Sequence, residues 1–96
     1  MYAFALYRPG PRWDSTKPLG EQSVVREHIA FLERLIAEGV IELAGPFHKG
    51  ADLVSNGLVG CGILQTDNLE TAREWFRQDP AVLERVLDCE VLPWYP

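Results

Sequence analysis

The stretch from Val24 to Gly39 constrains the fold of this chain most, because its apolar residues recur with the period of an α-helix. They fall at positions 24, 25, 29, 31, 32, 35 and 36, which is the spacing of a helix that lays one face against a core. Gly39 is the residue type that commonly ends such a helix in the left-handed conformation. We therefore predict a first helix that begins near Glu21 or Gln22 and ends at Gly39.

A histidine, His28, interrupts the apolar face of this helix. It lies four residues after Val24 and three before Phe31, so its side chain lies on or beside the apolar stripe. An imidazole in that position either has a fixed hydrogen-bond partner or works at the edge of a pocket. His28 is therefore the first candidate for a functional residue.

The composition disfavours several classes of function. Apolar residues at 47% and charged residues at 24% are ordinary for a globular protein, so we expect one domain over residues 1–96. A net charge of −5 disfavours binding to nucleic acid or to an anionic membrane surface. No apolar run has the length of a membrane span, and the first residues lack a basic leader. We expect a cytoplasmic protein.

The two cysteines, Cys61 and Cys89, show no metal-binding pattern. Neither belongs to a Cys-x-x-Cys pair or to a Cys/His ligand spacing, and both lie in apolar, strand-like runs. We expect buried, unreactive thiols, no metal site and no cofactor. A metal shared by His28 and His48 would need a further ligand, and no carboxylate is spaced to supply one.

Short apolar runs and amphipathic helical segments alternate along the chain. A second helix is predicted over Leu69 to Gln78, and Asp79 and Pro80 open a short helical turn after it. The segment 9–21 is rich in proline and is predicted as a loop. The predicted strands cover residues 2–7, 40–44, 58–65 and 85–92.

Glycines mark two features around the third strand. Asn56-Gly57, at the end of the turn-rich connection 48–57, is a hairpin signal. Gly60 and Gly62 lie two residues apart and so fall on the same face of the strand. A helix, a ligand or the sheet of a partner can pack closely against them.

The order β-α-β-β-α-β predicts an α+β fold of the ferredoxin-like type, a four-stranded antiparallel sheet with two helices on one face. The opposite face then carries Tyr, Phe, Ile and Leu side chains with nothing to cover them. Such a patch is larger than a monomer normally exposes. We therefore expect a homodimer through the open sheet face, which closes an α+β barrel between two subunits.

Short motifs extend over nearly the whole chain. They are Arg26-x-His28, Phe31-Leu32, Glu38-Gly39-Val40, Ala44-Gly45-Pro46, the glycine-bearing third strand, Ala72-Arg73 to Trp75, Asp79-Pro80 and Pro93-Trp94. In this order and spacing the chain resembles the YCII-related family, small members of the dimeric α+β barrel superfamily. Each motif alone is weak, and their succession carries the resemblance.

The resemblance implies a histidine–aspartate pair that acts as an acid–base dyad in a small pocket, without a cofactor. Carried over to this chain, the pair is His28 and Asp79. One branch of the family is similar to a dehydrochlorinase that acts on a chlorinated, hydroxylated aromatic compound. The resemblance thus implies proton transfer or elimination on a small cyclic or aromatic molecule.

The residues themselves leave two interpretations of this pair open. If the two helices lie side by side, Asp79 can fix the tautomer of His28, whose other ring nitrogen then serves as a general acid or base. Alternatively, Asp79 caps the short helix at Pro80 and His28 is a satisfied core histidine. The first interpretation predicts an enzyme, and the second predicts a non-catalytic homodimeric module that binds a small ligand or serves as an accessory protein.

Further candidates surround the predicted pocket. Arg26 either holds an anionic group of the substrate or pairs with surface glutamates. Trp13, in the proline-rich loop, either plugs a cleft or contacts another subunit. Phe47 and His48 follow the second strand and are predicted to reach the cleft, although a solvated loop histidine is the alternative for His48. Tyr7 is interpreted as a core residue and not as pocket wall.

Overall fold

The computed structural model describes residues 1–47 and 57–96, and these form a sheet with helices in the predicted order. Asn56 of the predicted hairpin and the position of His48 fall outside the described residues. A short 3-10 helix covers Leu19–Glu21. The other elements are β1 (Tyr2–Pro9), α1 (Val25–Ala37), β2 (Leu43–Pro46), β3 (Gly60–Gln65), α2 (Leu69–Arg77), α3 (Pro80–Leu83) and β4 (Leu87–Trp94).

The sheet confirms the predicted α+β fold. Its strand order is β2-β3-β1-β4, and β1 pairs antiparallel with both β3 and β4 while β2 pairs antiparallel with β3. Ala3, Ala5 and Tyr7 of β1 are buried beneath the helices, and Phe31 of α1 and Phe76 of α2 belong to the same core cluster. This alternation of buried and half-buried positions is typical of a strand whose one face packs on helices.

The glycines of β3 allow two close approaches. A Cβ atom on Gly62 would lie 3.3 Å from the ring of Phe76, so a helix is what packs at this position. A Cβ atom on Gly60 would lie 3.0 Å from the backbone oxygen of Gly45 in the neighbouring strand. Glycine at both positions thus leaves room for the Phe76 ring of α2 and for the backbone of β2 against β3.

Helix α1 begins later than the sequence predicted. The buried side chain of Gln22 accepts a hydrogen bond from the backbone of Asp14 and donates to the carbonyls of Asp14 and Lys17, so it fastens the preceding loop. Val24 follows with a positive φ of 59°, a conformation that a β-branched residue rarely adopts and that a helix interior excludes. The predicted end is confirmed, because Gly39 has a φ of 77°.

Strands β2 and β4 are both displaced toward the C-terminus from their predicted positions. The backbone NH groups of Val40 and Ile41 both donate to Leu35 of the preceding helix, so these residues complete the helix end and β2 starts at Leu43. Pro46 closes β2, which is tolerable because β2 is an edge strand. Likewise, Arg85 has a φ of 63° in the turn after α3, and β4 begins only at Leu87.

The face of the sheet opposite the helices is apolar and uncovered in the single chain. Phe4 pairs with Leu92 and Ile63, and its ring meets that of Trp94 edge-on at 5.7 Å. Leu43 is 67% exposed, and Leu92 and Trp94 are exposed as well. We call Phe4, Leu43, Ile63, Leu92 and Trp94 the open sheet face. None of the helices in the described part of the chain is long and apolar enough to cross a membrane.

Candidate active site

A cavity of about 410 Å³ lies between α1 and the adjoining ends of β2 and β3, and His28 lies in its wall. Most of its lining is apolar, including Ile29 and Leu32 of α1, and Val59 and Leu87 from the sheet side. The polar residues in the lining include Tyr7, His28 and Glu33. A mostly apolar cavity with a few polar groups suits a small organic molecule.

His28 and Asp79 are in direct contact beside this cavity. Nδ1 of His28 lies 2.6 Å from Oδ2 of Asp79. His28 is 7% exposed and Asp79 is fully buried. The helical period brings His28 to the inner face of α1, and Asp79 stands where α2 ends and α3 begins. The contact predicted between the first helix and the Asp-Pro step is therefore present.

Asp79 also caps α3, so both interpretations of this residue describe the structure. Its Oδ1 accepts a hydrogen bond of 2.9 Å from the backbone NH of Ala81, while Oδ2 faces His28. Pro80 occupies the first helical position, where its missing NH costs nothing. The cap fixes the orientation of the carboxylate that the imidazole meets.

Tyr7 is a third member of this arrangement, and the sequence interpretation missed it. Its hydroxyl donates to Oδ2 of Asp79 at 3.0 Å, and its ring meets the ring of His28 edge-on at 5.2 Å. Tyr7 belongs to the core, as predicted, but it also lines the cavity. The sequence could have indicated this role, because Ala3, Ala5 and Tyr7 alternate along β1 and share its inner face. A phenol that is buried there requires a hydrogen-bond partner.

Burial and the charge of Asp79 keep the neighbouring acids protonated. Burial, followed by the negative charge of Asp79, raises the pKa of Tyr7 far above its ordinary value. The same two causes, in the same order, raise the pKa of the Cys89 thiol to about 12. Burial also raises the pKa of Cys61, which lines the cavity. Tyr7 is therefore a hydrogen-bond donor, and both thiols are neutral near pH 7.

These hydrogen bonds assign the two nitrogens of the His28 ring. Oδ2 of Asp79 already accepts from Tyr7, and the carboxylate acts as an acceptor toward His28 as well. Nδ1 of the neutral imidazole is then the protonated nitrogen, and Nε2 carries the free electron pair. Since Nδ1 is engaged and the ring borders the cavity, Nε2 is the nitrogen available to a bound molecule.

Three of the other predicted site residues lie in the described part of the chain, and the structure does not bring them together with His28. Arg26 is exposed in the first turn of α1, and Trp13 is half-buried against the core. Phe47 is half-buried, and its backbone NH donates to the carbonyl of Val59. Of these three, none contributes to the cavity lining formed by the described residues. Their contacts with a substrate, like those of His48, stay predictions.

Metal ligands do not converge in the part of the chain that the structure describes. Across residues 1–47 and 57–96, no three His, Cys, Asp or Glu side chains are close enough to hold an ion together.

A comparison with protein-family models identifies the family of this chain. Residues 13–95 match the YCII-related domain. Among solved structures, the chain is similar to 5-chloro-2-hydroxyhydroquinone dehydrochlorinase (TftG) from Burkholderia phenoliruptrix, in complex with 2,5-dihydroxybenzoquinone. The two are 19% identical with a TM-score of 0.59, over 97% of this chain and 93% of that chain. At this identity the likeness shows the fold. No curated protein sequence matches the chain.

Proposed function

This chain belongs to the YCII-related family, and on that premise we propose that it is a small enzyme that transfers protons through His28. Its reaction is of the lyase or isomerase type, and its substrate is a small cyclic or aromatic organic molecule. One observation carries the proposal, namely the buried 2.6 Å contact between His28 and Asp79 at the wall of a cavity of about 410 Å³.

His28 acts as the general base and Asp79 holds it in position. Nε2 of the neutral ring takes a proton from the substrate, and the carboxylate stabilises the imidazolium that forms. In an elimination, the electron pair of the broken C–H or O–H bond forms a double bond while the leaving group departs with its own electron pair. In an isomerisation, the same imidazolium returns the proton to a different atom. A positioned base of this kind typically contributes about 10²- to 10⁴-fold to the rate.

The cavity supports a small ring as the substrate. Ile29, Leu32 and Val59 offer apolar walls, and His28 supplies a polar group. A planar, hydroxylated ring would place its carbon atoms against the walls and one polar group near Nε2. The name of the structural neighbour supplies a first probe, 5-chloro-2-hydroxyhydroquinone.

Chloride release from this probe tests the proposal. We expect turnover by the wild type, and a kcat about 10²- to 10⁴-fold lower in His28→Asn, because asparagine cannot accept the proton at neutral pH. Glu27→Gln is the matched control, since Glu27 is the exposed neighbour of His28 in α1 and contributes nothing to this cavity. Equal turnover by His28→Asn and the wild type would remove the histidine from the mechanism.

A non-catalytic homodimeric module is the second candidate function, and the helix cap favours it. Because Oδ1 of Asp79 accepts from Ala81, the aspartate has a structural role that requires no catalysis. In this case the cavity binds a small ligand without changing it. Saturable binding of 2,5-dihydroxybenzoquinone, together with no turnover of any chlorinated or hydroxylated ring tested, would favour the module over the enzyme.

We also propose that two copies of the chain pair through the open sheet face. The aromatic and aliphatic side chains there would be covered on pairing, which removes apolar surface from water. A cytoplasmic location stays a prediction.

A further inference from the structure

We propose that Tyr7 is a positioning residue that acts on His28 through Asp79, so that the site is a tyrosine–aspartate–histidine relay and not a pair. The inference rests on the proposed function, because it assigns Tyr7 a task at the same site. Its direct support is that the Tyr7 hydroxyl and Nδ1 of His28 both bind one oxygen, Oδ2 of Asp79, at 3.0 and 2.6 Å.

Three different elements hold the carboxylate through these contacts. Tyr7 reaches it from β1, His28 from α1, and the backbone of Ala81 from the start of α3. Turning the carboxylate plane away from this arrangement would break at least one of the three hydrogen bonds, so together they hold the plane in one orientation. Fixed acceptors of this kind align an imidazole more accurately than a carboxylate with one partner does.

Tyr7 also weakens the attraction between Asp79 and the imidazolium form of His28. The Tyr7 hydroxyl draws negative charge on Oδ2 toward itself. It also binds the lone pairs of the same oxygen that accepts from Nδ1 of His28. The imidazolium is therefore less stabilised than it would be beside a carboxylate without that donor. A base that returns its proton easily is better suited to repeated turnover than one that holds it too tightly.

Other titratable groups lie near these three residues and can also influence the titration of His28. Glu33 of α1 and Cys61 of β3 line the same cavity as His28. Cys89 of β4, which is paired with Tyr7 in the sheet, interacts with the Tyr7 hydroxyl. Tyr7→Phe changes none of these side chains, and the comparison with the Asp79→Asn background isolates the part of any change in the His28 titration that depends on Asp79.

A double-mutant cycle on the titration midpoint of the His28 ring tests the relay. NMR follows the ring through the pH titration in the wild type, Tyr7→Phe, Asp79→Asn and the double variant. The chain has two histidines, and a His48→Asn variant assigns the signals. We expect Tyr7→Phe to raise the midpoint when Asp79 is present, and to leave it unchanged in the Asp79→Asn background.

The outcomes separate positioning from packing. A Tyr7→Phe shift confined to the background with Asp79 supports the relay. No shift, or the same shift in both backgrounds, overturns it, because the hydroxyl would then act by packing alone or not through Asp79. Circular dichroism verifies that each variant is folded, and phenylalanine keeps the ring that meets His28 and Phe76 edge-on.

If one of these variants fails to fold, a second measurement tests the relay instead. Growth with 3-fluorotyrosine replaces all three tyrosines by a more acidic phenol, which is a stronger donor to Asp79. The relay predicts a lower midpoint for His28, opposite to the effect of Tyr7→Phe, and a raised or unchanged midpoint contradicts it. None of these titrations requires turnover, so an inactive wild type would refute the proposed function without deciding the role of Tyr7.

Discussion

At the scale of the residue, Asp79 joins three elements through one buried carboxylate. The Asp-Pro step after a helix predicted the cap of α3, and the resemblance to the YCII-related family implied the contact with His28. Neither predicted the contact with Tyr7. A residue in β1 and one before α3 are joined only by the folded sheet, and no local pattern records that contact.

The carboxylate of Asp79 should contribute strongly to stability. Asp79→Ala leaves the Tyr7 hydroxyl, the Ala81 NH and His28 without their acceptor, so we expect unfolding in urea to be easier by about 2–4 kcal/mol. Asp79→Asn should cost less, because its amide oxygen can still cap α3. Asp88→Ala, exposed on β4, is the control. Equal stabilities of Asp79→Ala and the control would refute the argument.

Alkaline pH should destabilise the fold through Cys89 and Tyr7. Both have a higher pKa when folded, so above pH 9 the unfolded chain releases protons that the folded chain keeps. Each protonated group contributes its full amount to the free energy of unfolding at pH values below its unfolded pKa. Above that pKa, the free energy of unfolding decreases by about 1.4 kcal/mol per pH unit for each group.

Urea unfolding between pH 8 and pH 11 measures this decrease. Cys89→Ala should make the stability fall less steeply just above pH 9, where the unfolded thiol ionises. Tyr7→Phe should make it fall less steeply at the higher end of the range. A Cys89→Ala chain that loses stability as steeply as the wild type would show that the thiol is free to ionise in the folded state.

At the scale of the element, the type of each helix and strand could be predicted from the sequence, whereas several of their first and last residues could not. The period of the apolar residues predicted α1, and the order of the predicted strands and helices predicted the sheet. Both predictions depend on the regular spacing of apolar residues, which the sequence shows directly. The start of α1 was missed because Gln22 fastens a loop, and β2 was misplaced because Val40 and Ile41 bond back to Leu35. Those boundaries follow from hydrogen bonds that apolar spacing does not encode.

The approach of α2 to β3 should not tolerate a side chain at Gly62. A valine there would press on the Phe76 ring, since a Cβ atom alone already lies 3.3 Å from it. We expect Gly62→Val to lower the free energy of unfolding by about 1–3 kcal/mol. Gly45→Ala is the control, because its Cβ would meet nothing within 4 Å. A Gly62→Val protein as stable as the wild type would mean that α2 can move away at little cost.

At the scale of the whole molecule, the open sheet face should determine association. Leu92→Glu places a charge on that face, which a partner copy would have to bury, so we expect a dimer of the wild type to become a monomer. Leu83→Glu is the matched control, because Leu83 is exposed on α3. Sedimentation velocity measures both. A monomeric wild type, or a Leu92→Glu dimer, would contradict pairing through this face.

The central claim is that Asp79 holds Nδ1 of His28 while Nε2 faces the cavity to exchange protons. Nitrogen NMR of the wild-type imidazole across a pH titration tests it most directly, because it reports which nitrogen carries the proton. We predict that the neutral ring is protonated on Nδ1, and that Nε2 gains a proton on acidification while the protein stays folded. A neutral ring protonated on Nε2, or a ring that titrates only on unfolding, would contradict the claim.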